Sequence, residues 1–293
     1  MMRITTDSGY RNLLQDIQRI AERMQTAQNQ VSSGKKVNRP SDNPSAAADV
    51  VNIDSKRASN AQYLENAATA QSRLQIADST LDGAERVSER IRSLALLAVS
   101  SNSSASSTVE EVSLLRDQML SYANTVFDGQ FIFAGSNSDT AAYVKATDGT
   151  VTYAGDSNAM KLQTGRASTL QTQIPGSQVF SGSVDIFSTL TSLVTAMNSG
   201  DRNGIRTQVA RLEQFSQTVS TARTKLGGLI NGAASAQSDL RQADLAETAH
   251  LSQLQDADLA QALSEFTQSQ TALQAATAVG ARVSSLSLLD YLK

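Results

Sequence analysis

Apolar residues recur every three or four positions over most of the chain. Near the start, Leu13, Ile17, Ile20, Met24, Ala27 and Val31 stand at spacings of 4, 3, 4, 3 and 4. That spacing puts them on one face of a helix. The other faces carry Gln, Asn, Arg, Glu and Asp. The stripe stops at Ser32-Ser33-Gly34. Glycine accepts the left-handed conformation that ends many helices, and Lys35 and Lys36 sit where a helix C-terminus favours cations. Asp42 or Asn43 can cap a new helix, and Pro44 suits its first position. The pattern predicts two helices joined by a short, stiff elbow that contains Gly34, Pro40, Asp42, Asn43 and Pro44.

After Pro44 no proline occurs before Pro175, and Gly83 is the one glycine before Ser100. Leu74, Ala77, Leu81, Ala84, Val87, Ile91, Leu94 and Ala98 trace a helical stripe, with a weaker one upstream at Val50, Ile53 and Leu64. A helix of that length would run roughly 80 Å at 1.5 Å per residue, which suggests a rod. Ser100 to Ser107 reads as a Ser-rich turn. Thr108 and Glu111 have the spacing of a capping box. Val112, Leu115, Met119, Tyr122 and Val126 then mark another helix, packed antiparallel to the first and ended by Asp128-Gly129.

The pattern changes at Gln130-Phe-Ile-Phe-Ala-Gly-Ser136, which is β-like. Short β-prone runs follow at Tyr143-Val144, Thr150–Tyr153, Met160–Leu162 and Gln178–Phe180, punctuated by Gly, Asp, Asn and Pro. Gly129, Gly135 and Gly149 read as turn residues. Asp185 then opens a short helix that Gly200 ends. From Ile205 a stripe runs through Val209, Leu212, Ser216, Val219, Arg223, Leu226, Ile230, Ala233, Gln237 and Leu240. Gly227, Gly228 and Gly232 each cost roughly 1 kcal/mol against Ala in a helix, so they suggest a close approach or a local flex. Leu251, Leu254, Leu259, Leu263, Phe266, Leu273, Ala276 and Val283 extend the apolar face. Leu286, Leu288, Leu289, Tyr291 and Leu292 crowd the last eight residues. A soluble monomer rarely ends on so sticky a tail, so the tail needs a partner.

Composition narrows the chemistry. Among 293 residues there is no Cys or Trp, and aromatics make up only 4%. Disulfides, thiolate chemistry and Cys-ligated metals are excluded. The net charge of −3 argues against a nucleic-acid surface. No apolar run is long enough to span a membrane, and Met1-Met2-Arg3-Ile4-Thr5 lacks the core of a secretory signal. The expectation is a cytoplasmic protein, or one that leaves the cell without a cleaved signal. His250 is the single histidine, beside Leu251 and Leu254, and no Gly-x-Ser-x-Gly elbow accompanies it. Carboxylates form no EF-hand ladder, and phosphate-binding glycine patterns are absent. The expectation is a protein with no catalytic residue, no metal site and no cofactor.

Three stretches carry a resemblance. Val31-Ser-Ser-Gly-Lys-Lys-Val37-Asn-Arg-Pro-Ser-Asp-Asn-Pro44 resembles the elbow of the flagellin family. Its Pro-Ser-Asp-Asn-Pro ending is similar to the hook-associated junction branch of that family. Asp256–Ala260, Thr271–Thr277 and Ser287–Leu292 resemble the family's C-terminal helix. The Met-Arg-Ile-Thr start at Met2 and Phe131-Ile-Phe-Ala-Gly-Ser136 are also similar to the junction branch. Asn43 stands where that family often has an acidic residue, and Met1 precedes the usual start.

Residues and resemblance together predict a mainly α-helical rod, its N- and C-terminal helices paired as a coiled coil, with a small inserted β-rich domain. The expected divisions are residues 1–43 with 250–293 as terminal assembly domain, 44–129 with 185–249 as helical rod, and 130–184 as insert. The expected assembly interface comprises Leu13, Ile17, Ile20, Met24, Val31, Leu259, Leu263, Phe266, Leu273, Val283, Leu286 and Leu289. The resemblance implies a structural subunit of the bacterial flagellum, between the first hook-associated protein and the flagellin filament. Implied partners are that protein, flagellin, copies of the chain in a junction ring, and a cytoplasmic export chaperone on the C-terminal helix. It implies type III export to an extracellular position. The alternatives are a flagellin proper and a cytoplasmic coiled-coil adaptor.

Overall fold

The computed structural model describes the backbone of residues 3–100 and 106–291, and the side chains of residues 11–100 and 106–282. Among these described residues, seven helices and six short strands follow one another: α1 (Arg3–Ser33), α2 (Pro44–Ser100), α3 (Ser106–Ala123), β1 (Val126–Phe127), β2 (Gln130–Phe131), β3 (Tyr143–Lys145), β4 (Val151–Tyr153), β5 (Lys161–Gln163), β6 (Thr169–Gln171), α4 (Gly176–Val179), α5 (Ile186–Ser199), α6 (Arg202–Gln255) and α7 (Leu259–Tyr291). The architecture is mainly α-helical with small strand pairs. Two compact units emerge, one of Met1–Ser59 with Ala243–Lys293 and one of Asn60–Gln242.

In the larger unit α2 and α6 run antiparallel. Gln237 Nε2 donates to Gln71 Oε1 at 2.6 Å, and Arg223 meets Asp78 and Glu85 further along α2. Arg90 on α2 pairs with Glu111 on α3 at 2.6 Å. Gly83, the one glycine of α2, lies under the Tyr122 ring of α3, and a Cβ there would come 2.8 Å from Tyr122 Cζ. α3 also packs on α5. Leu74, Leu81, Met119, Phe187, Phe215 and Leu226 are completely buried or nearly so, within one continuous core.

Among the described residues the six strands pair as three separate antiparallel hairpins, β1–β2, β3–β4 and β5–β6. Asp128 and Gly129 both take positive φ, 50° and 75°, as a two-residue primed turn requires. They turn the first hairpin rather than ending α3, which stops at Ala123. Gly149, at φ 85°, turns the second. Only Gln130–Phe131 of the β-like 130–136 run is strand; Ile132, Phe133 and Ala134 instead enter the core. Tyr143 and Phe133 join Phe180, Phe187 and Phe215 in an aromatic cluster, with ring centroids 5.0 Å apart for Tyr143–Phe187 and 5.2 Å for Phe133–Phe180. Burial pushes the Tyr143 hydroxyl to a higher pKa; it hydrogen-bonds Ser181 Oγ at 3.1 Å.

One predicted strand is a helical turn. Gln178–Phe180 falls in and beside α4, because Gly176 N donates to Phe133 O at 2.7 Å and closes the turn against the cluster. Thr108 lies inside α3, two residues after its start, so it is not a cap. Asp185 does cap α5, accepting from Ser188 N at 2.8 Å, and Gly200 ends that helix at φ 70°.

Arg73 on α2 ties down the hairpins. It is 5% exposed, and it donates to Gln130 Oε1 and Gln173 Oε1 at 2.9 Å each. Desolvation lowers its pKa. The buried residues of α6 include Gln208, Leu212, Phe215, Val219, Ala222 and Leu226. The buried line thus runs one residue off the predicted positions Val209, Ser216 and Arg223. Nothing lies within 4 Å of a Cβ built at Gly227 or Gly228, so neither marks a close approach within the chain.

Candidate assembly interface

The two ends of the chain form a helix pair. α1 packs along α7. Leu13 Cδ2 lies 3.4 Å from a Cβ built at Gly280, while Ile20, Arg23 and Thr26 share a groove with Glu265, Ser269 and Ala272, so the pair is antiparallel. On α1, Leu13, Ile17, Ile20 and Met24 are half-buried and Ala27 is buried. On α7, Ala262 is buried, and Phe266, Ser269, Leu273, Ala276 and Gly280 are half-buried. Those six recur at 4, 3, 4, 3 and 4. Mostly large side chains of α1 therefore face mostly small ones of α7 at a spacing that suits interdigitation.

The predicted interface residues separate into three groups. Leu13, Ile17, Ile20, Met24, Phe266 and Leu273 lie along the α1–α7 seam. Val31, Leu259 and Leu263 are exposed, at 37%, 53% and 52%. Val31 and Leu259 fall at the end of the pair where both helices stop, and Leu263 stands one position off the buried line. Leu14 and Val279 are further exposed apolar residues on these helices. The side chains of Val283, Leu286 and Leu289 lie outside the described residues.

The elbow is ordered by local hydrogen bonds. Gly34 takes φ 70° and donates to Gln30 O at 2.9 Å. Arg39 to Asp42 form a turn, Asp42 N donating to Arg39 O at 3.0 Å, with Pro40 in its second position. Asp42 Oδ2 accepts from Asn38 N at 3.0 Å and from Arg39 N at 2.8 Å. Asn43 is the cap of α2, accepting from Ala46 N at 3.0 Å, and Pro44 is the first helical residue.

A second break faces the elbow. α6 stops at Gln255, and Asp258 caps α7 by accepting from Ala260 N at 2.9 Å and Gln261 N at 3.1 Å. Lys35 and Asp256 are partners in an isolated antiparallel bridge. Lys36 N donates to Gln255 O at 2.7 Å, and Ala257 N donates to Gly34 O at 2.9 Å. Lys36 Nζ adds a bond to Gln253 O at 2.6 Å.

The groove along the α1–α7 pair has a volume of about 750 Å³ and mixes Arg19, Glu22, Arg23 and Glu265 with Ile20 and Ala272. Residues 4–138 match the bacterial flagellin N-terminal helical region, and residues 209–292 match the bacterial flagellin C-terminal helical region. The chain belongs to the bacterial flagellin family. Within that structural family it is similar to the flagellar hook-associated protein 3 of Escherichia coli strain K12, 25% identical over 320 residues and the full length of both chains. The flagellar hook-associated protein 3 of Salmonella typhimurium is 24% identical over 94% of each chain. The fold is also that of the flagellar junction protein FlgL from Legionella pneumophila, with a TM-score of 0.58 over 71% of this chain and 99% of that one, at 16% identity.

His250 is exposed on α6. Among the described residues no group of three or more His, Cys, Asp or Glu could hold a metal ion. No described helix is long and apolar enough to cross a membrane. Sequence reasoning missed the break at residues 256–258, running the apolar stripe straight from Leu251 to Val283. Asp258 was the available signal, being a capping residue just before Leu259.

Proposed function

We propose that this chain is a structural subunit of the flagellar junction, joining the first hook-associated protein to the flagellin filament. One observation carries the reading beyond family membership. The antiparallel α1–α7 pair brings both ends of the chain together and still leaves Leu14, Val31, Leu259, Leu263 and Val279 uncovered. A surface of that kind is completed by neighbouring subunits. The partners are the first hook-associated protein, flagellin and copies of the chain itself. A cytoplasmic chaperone covers the C-terminal helix before type III export, and the protein works outside the cell without loss of a cleaved signal. The assembly residues are the seam set Leu13, Ile17, Ile20, Met24, Phe266 and Leu273, the open set Val31, Leu259 and Leu263, and the tail residues Val283, Leu286 and Leu289.

The test deletes the gene and complements it with a tagged chain. The junction reading expects intact hooks without filaments in the deletion strain, and label confined to the hook–filament boundary on complementation. Label along whole filaments would identify a filament subunit instead, and label inside the cell would identify an adaptor.

A further inference from the structure

Arg73 is a buried cation held by weak acceptors. Its Nη1 donates to Gln130 Oε1 at 2.9 Å and to Met160 Sδ at 3.6 Å, and its Nη2 donates to Gln173 Oε1 at 2.9 Å. Among the described residues none of its acceptors is a carboxylate. Two amides and a thioether face a guanidinium that is 5% exposed. A thioether sulfur is the weakest acceptor of the three. Two buried donors of the same cluster are unused, Arg73 Nε and Gln173 Nε2, and Gln173 is 1% exposed. Turning the Gln173 amide gives no relief, because its oxygen already serves Arg73. A buried donor without an acceptor costs stability, and most on a charged group.

We propose, independently of the junction reading, that Met160 is a modification site: peroxides oxidise it to the sulfoxide, and the new oxygen gives Arg73 the acceptor it lacks. Met160 is half-buried, within reach of a small oxidant, whereas Met119 and Met197 of the same unit are completely buried. Its main chain is pinned, since Met160 O accepts from Thr172 N at 2.9 Å and from Thr172 Oγ1 at 3.2 Å. Only the side chain has to respond. In the reaction a lone pair of Sδ attacks one oxygen of hydrogen peroxide. The S–O bond forms as the O–O bond breaks, and the proton on the transferred oxygen passes to the departing hydroxide, which leaves as water. Sulfur loses two electrons and the peroxide gains them. Arg73 Nη1 holds one side of the sulfur, so attack uses the other lone pair and one sulfoxide epimer predominates. The flexible methionine side chain then turns its oxygen to the guanidinium. A hydrogen bond from a charged donor to such an oxygen is roughly twice as strong as a neutral one. Methionine oxidation ordinarily disrupts a core. Here it tightens the tie between α2 and the segments that carry Gln130, Met160 and Gln173.

Hydrogen peroxide applied to the full-length chain tests this, with every methionine read by mass spectrometry after digestion. Met160 should be oxidised while Met119 and Met197 stay reduced. The two methionine sulfoxide reductases each act on one epimer. Applied separately to the digest, they should show one Met160 epimer in several-fold excess. The melting temperature of the unit from Asn60 to Gln242 should rise by a few degrees on oxidation. It should not rise in Met160→Leu, a comparison that removes the contribution of other methionines such as Met24. Arg73→Lys keeps the charge without the planar fork, so it should bring the epimers towards equality and abolish the rise. Should Arg73→Lys fail to fold, the epimer ratio of the native chain and the comparison with Met160→Leu decide the matter. Met160 left reduced under conditions that oxidise Met24 overturns the proposal. So do equal epimers in the native chain, which would show that Arg73 does not hold the sulfur. A melting temperature that stays level or falls on oxidation overturns it as well, because Arg73 would then have gained no acceptor.

Discussion

Gly135 and Gly227 have the same side chain for unrelated reasons. Gly135 sits at φ 76°, and a Cβ there would overlap the Asp156 carbonyl and carboxylate. Gly135→Ala should therefore lower the melting temperature of the larger unit by several degrees, through both strain and collision. Gly227 is helical with open space around it, so Gly227→Ala should gain up to about 1 kcal/mol and raise the melting temperature. Thermal denaturation of the two variants checks both signs. Asp156 yields a pH expectation. Backbone bonds from Ser136 N at 2.9 Å and Asn158 N at 2.8 Å hold its carboxyl below the usual value of 3.8. A lowered folded-state pKa means the ionised form stabilises this turn above that value, and the benefit disappears as pH falls through it. The Ser136 and Asn158 amide resonances should titrate together with a midpoint below 3.8, and Asp156→Asn should abolish the titration. The caps at Asn43 and Asp185 were legible in sequence, because a cap and its target amide lie three residues apart. The role of Gly135 was legible only as a turn, because its constraint comes from Asp156, twenty-one positions on. Arg73 gave no signal at all, since its acceptors Gln130 and Gln173 meet it only in the folded chain.

Helices were the most legible elements, and their exact faces the least. The stripe from Ile205 predicted α6 correctly, but both Val209 and Gln208 fit a three-four spacing, and packing against α2 and the aromatic cluster chose the line through Gln208, Phe215 and Ala222. That choice moves Arg223 to the border of the buried face. It reaches three carboxylates of α2 there: Asp78 at 3.1 Å, Asp82 at 2.9 Å and Glu85 at 2.9 Å. The hydrogen bond to Asp78 is the largest influence raising the pKa of Arg223. Because the guanidinium is about a third exposed, solvent screens each pair. Arg223→Ala should cost about 1 kcal/mol, mostly by leaving three like charges on one helix face. The loss measured by denaturation should shrink in high salt, and a salt-independent loss would instead point to packing of the Arg223 stem. The β3–β4 hairpin was legible as β structure with a turn at Gly149, whereas Val126 of β1 was placed on a helix and β6 carried no recognised β-prone run. Gln178–Phe180 was misread because a buried Val-Phe run looks the same in a strand and in a short helical turn.

At the scale of the whole molecule, the chain separates residues that hold its ends together from residues those ends leave open. Ile20 and Phe266 belong to the α1–α7 seam, while Leu263 is 52% exposed beside it. A carboxylate at each position should fail in a different way. Ile20→Asp or Phe266→Asp places a charge among apolar side chains, at a cost of up to several kcal/mol where water cannot follow. The pair should loosen, with loss of helical signal and faster hydrogen exchange over residues 11–31 and 260–282. The unit from Asn60 to Gln242 should keep its aromatic core and its cooperative melt, because no residue of that core lies in α1 or α7. Leu263→Asp meets water in the isolated chain, so it should leave helicity, exchange and melting unchanged. Yet, under the proposed assembly surface, it should block incorporation into flagella as completely as the seam variants do. Export has to be measured alongside, by recovering each variant from the culture medium, so that a secretion defect is not read as an assembly defect. A secreted, well-folded Leu263→Asp chain that still supported filaments would show that this leucine faces solvent in the assembled flagellum, and the assembly surface would then have to lie on the seam helices elsewhere.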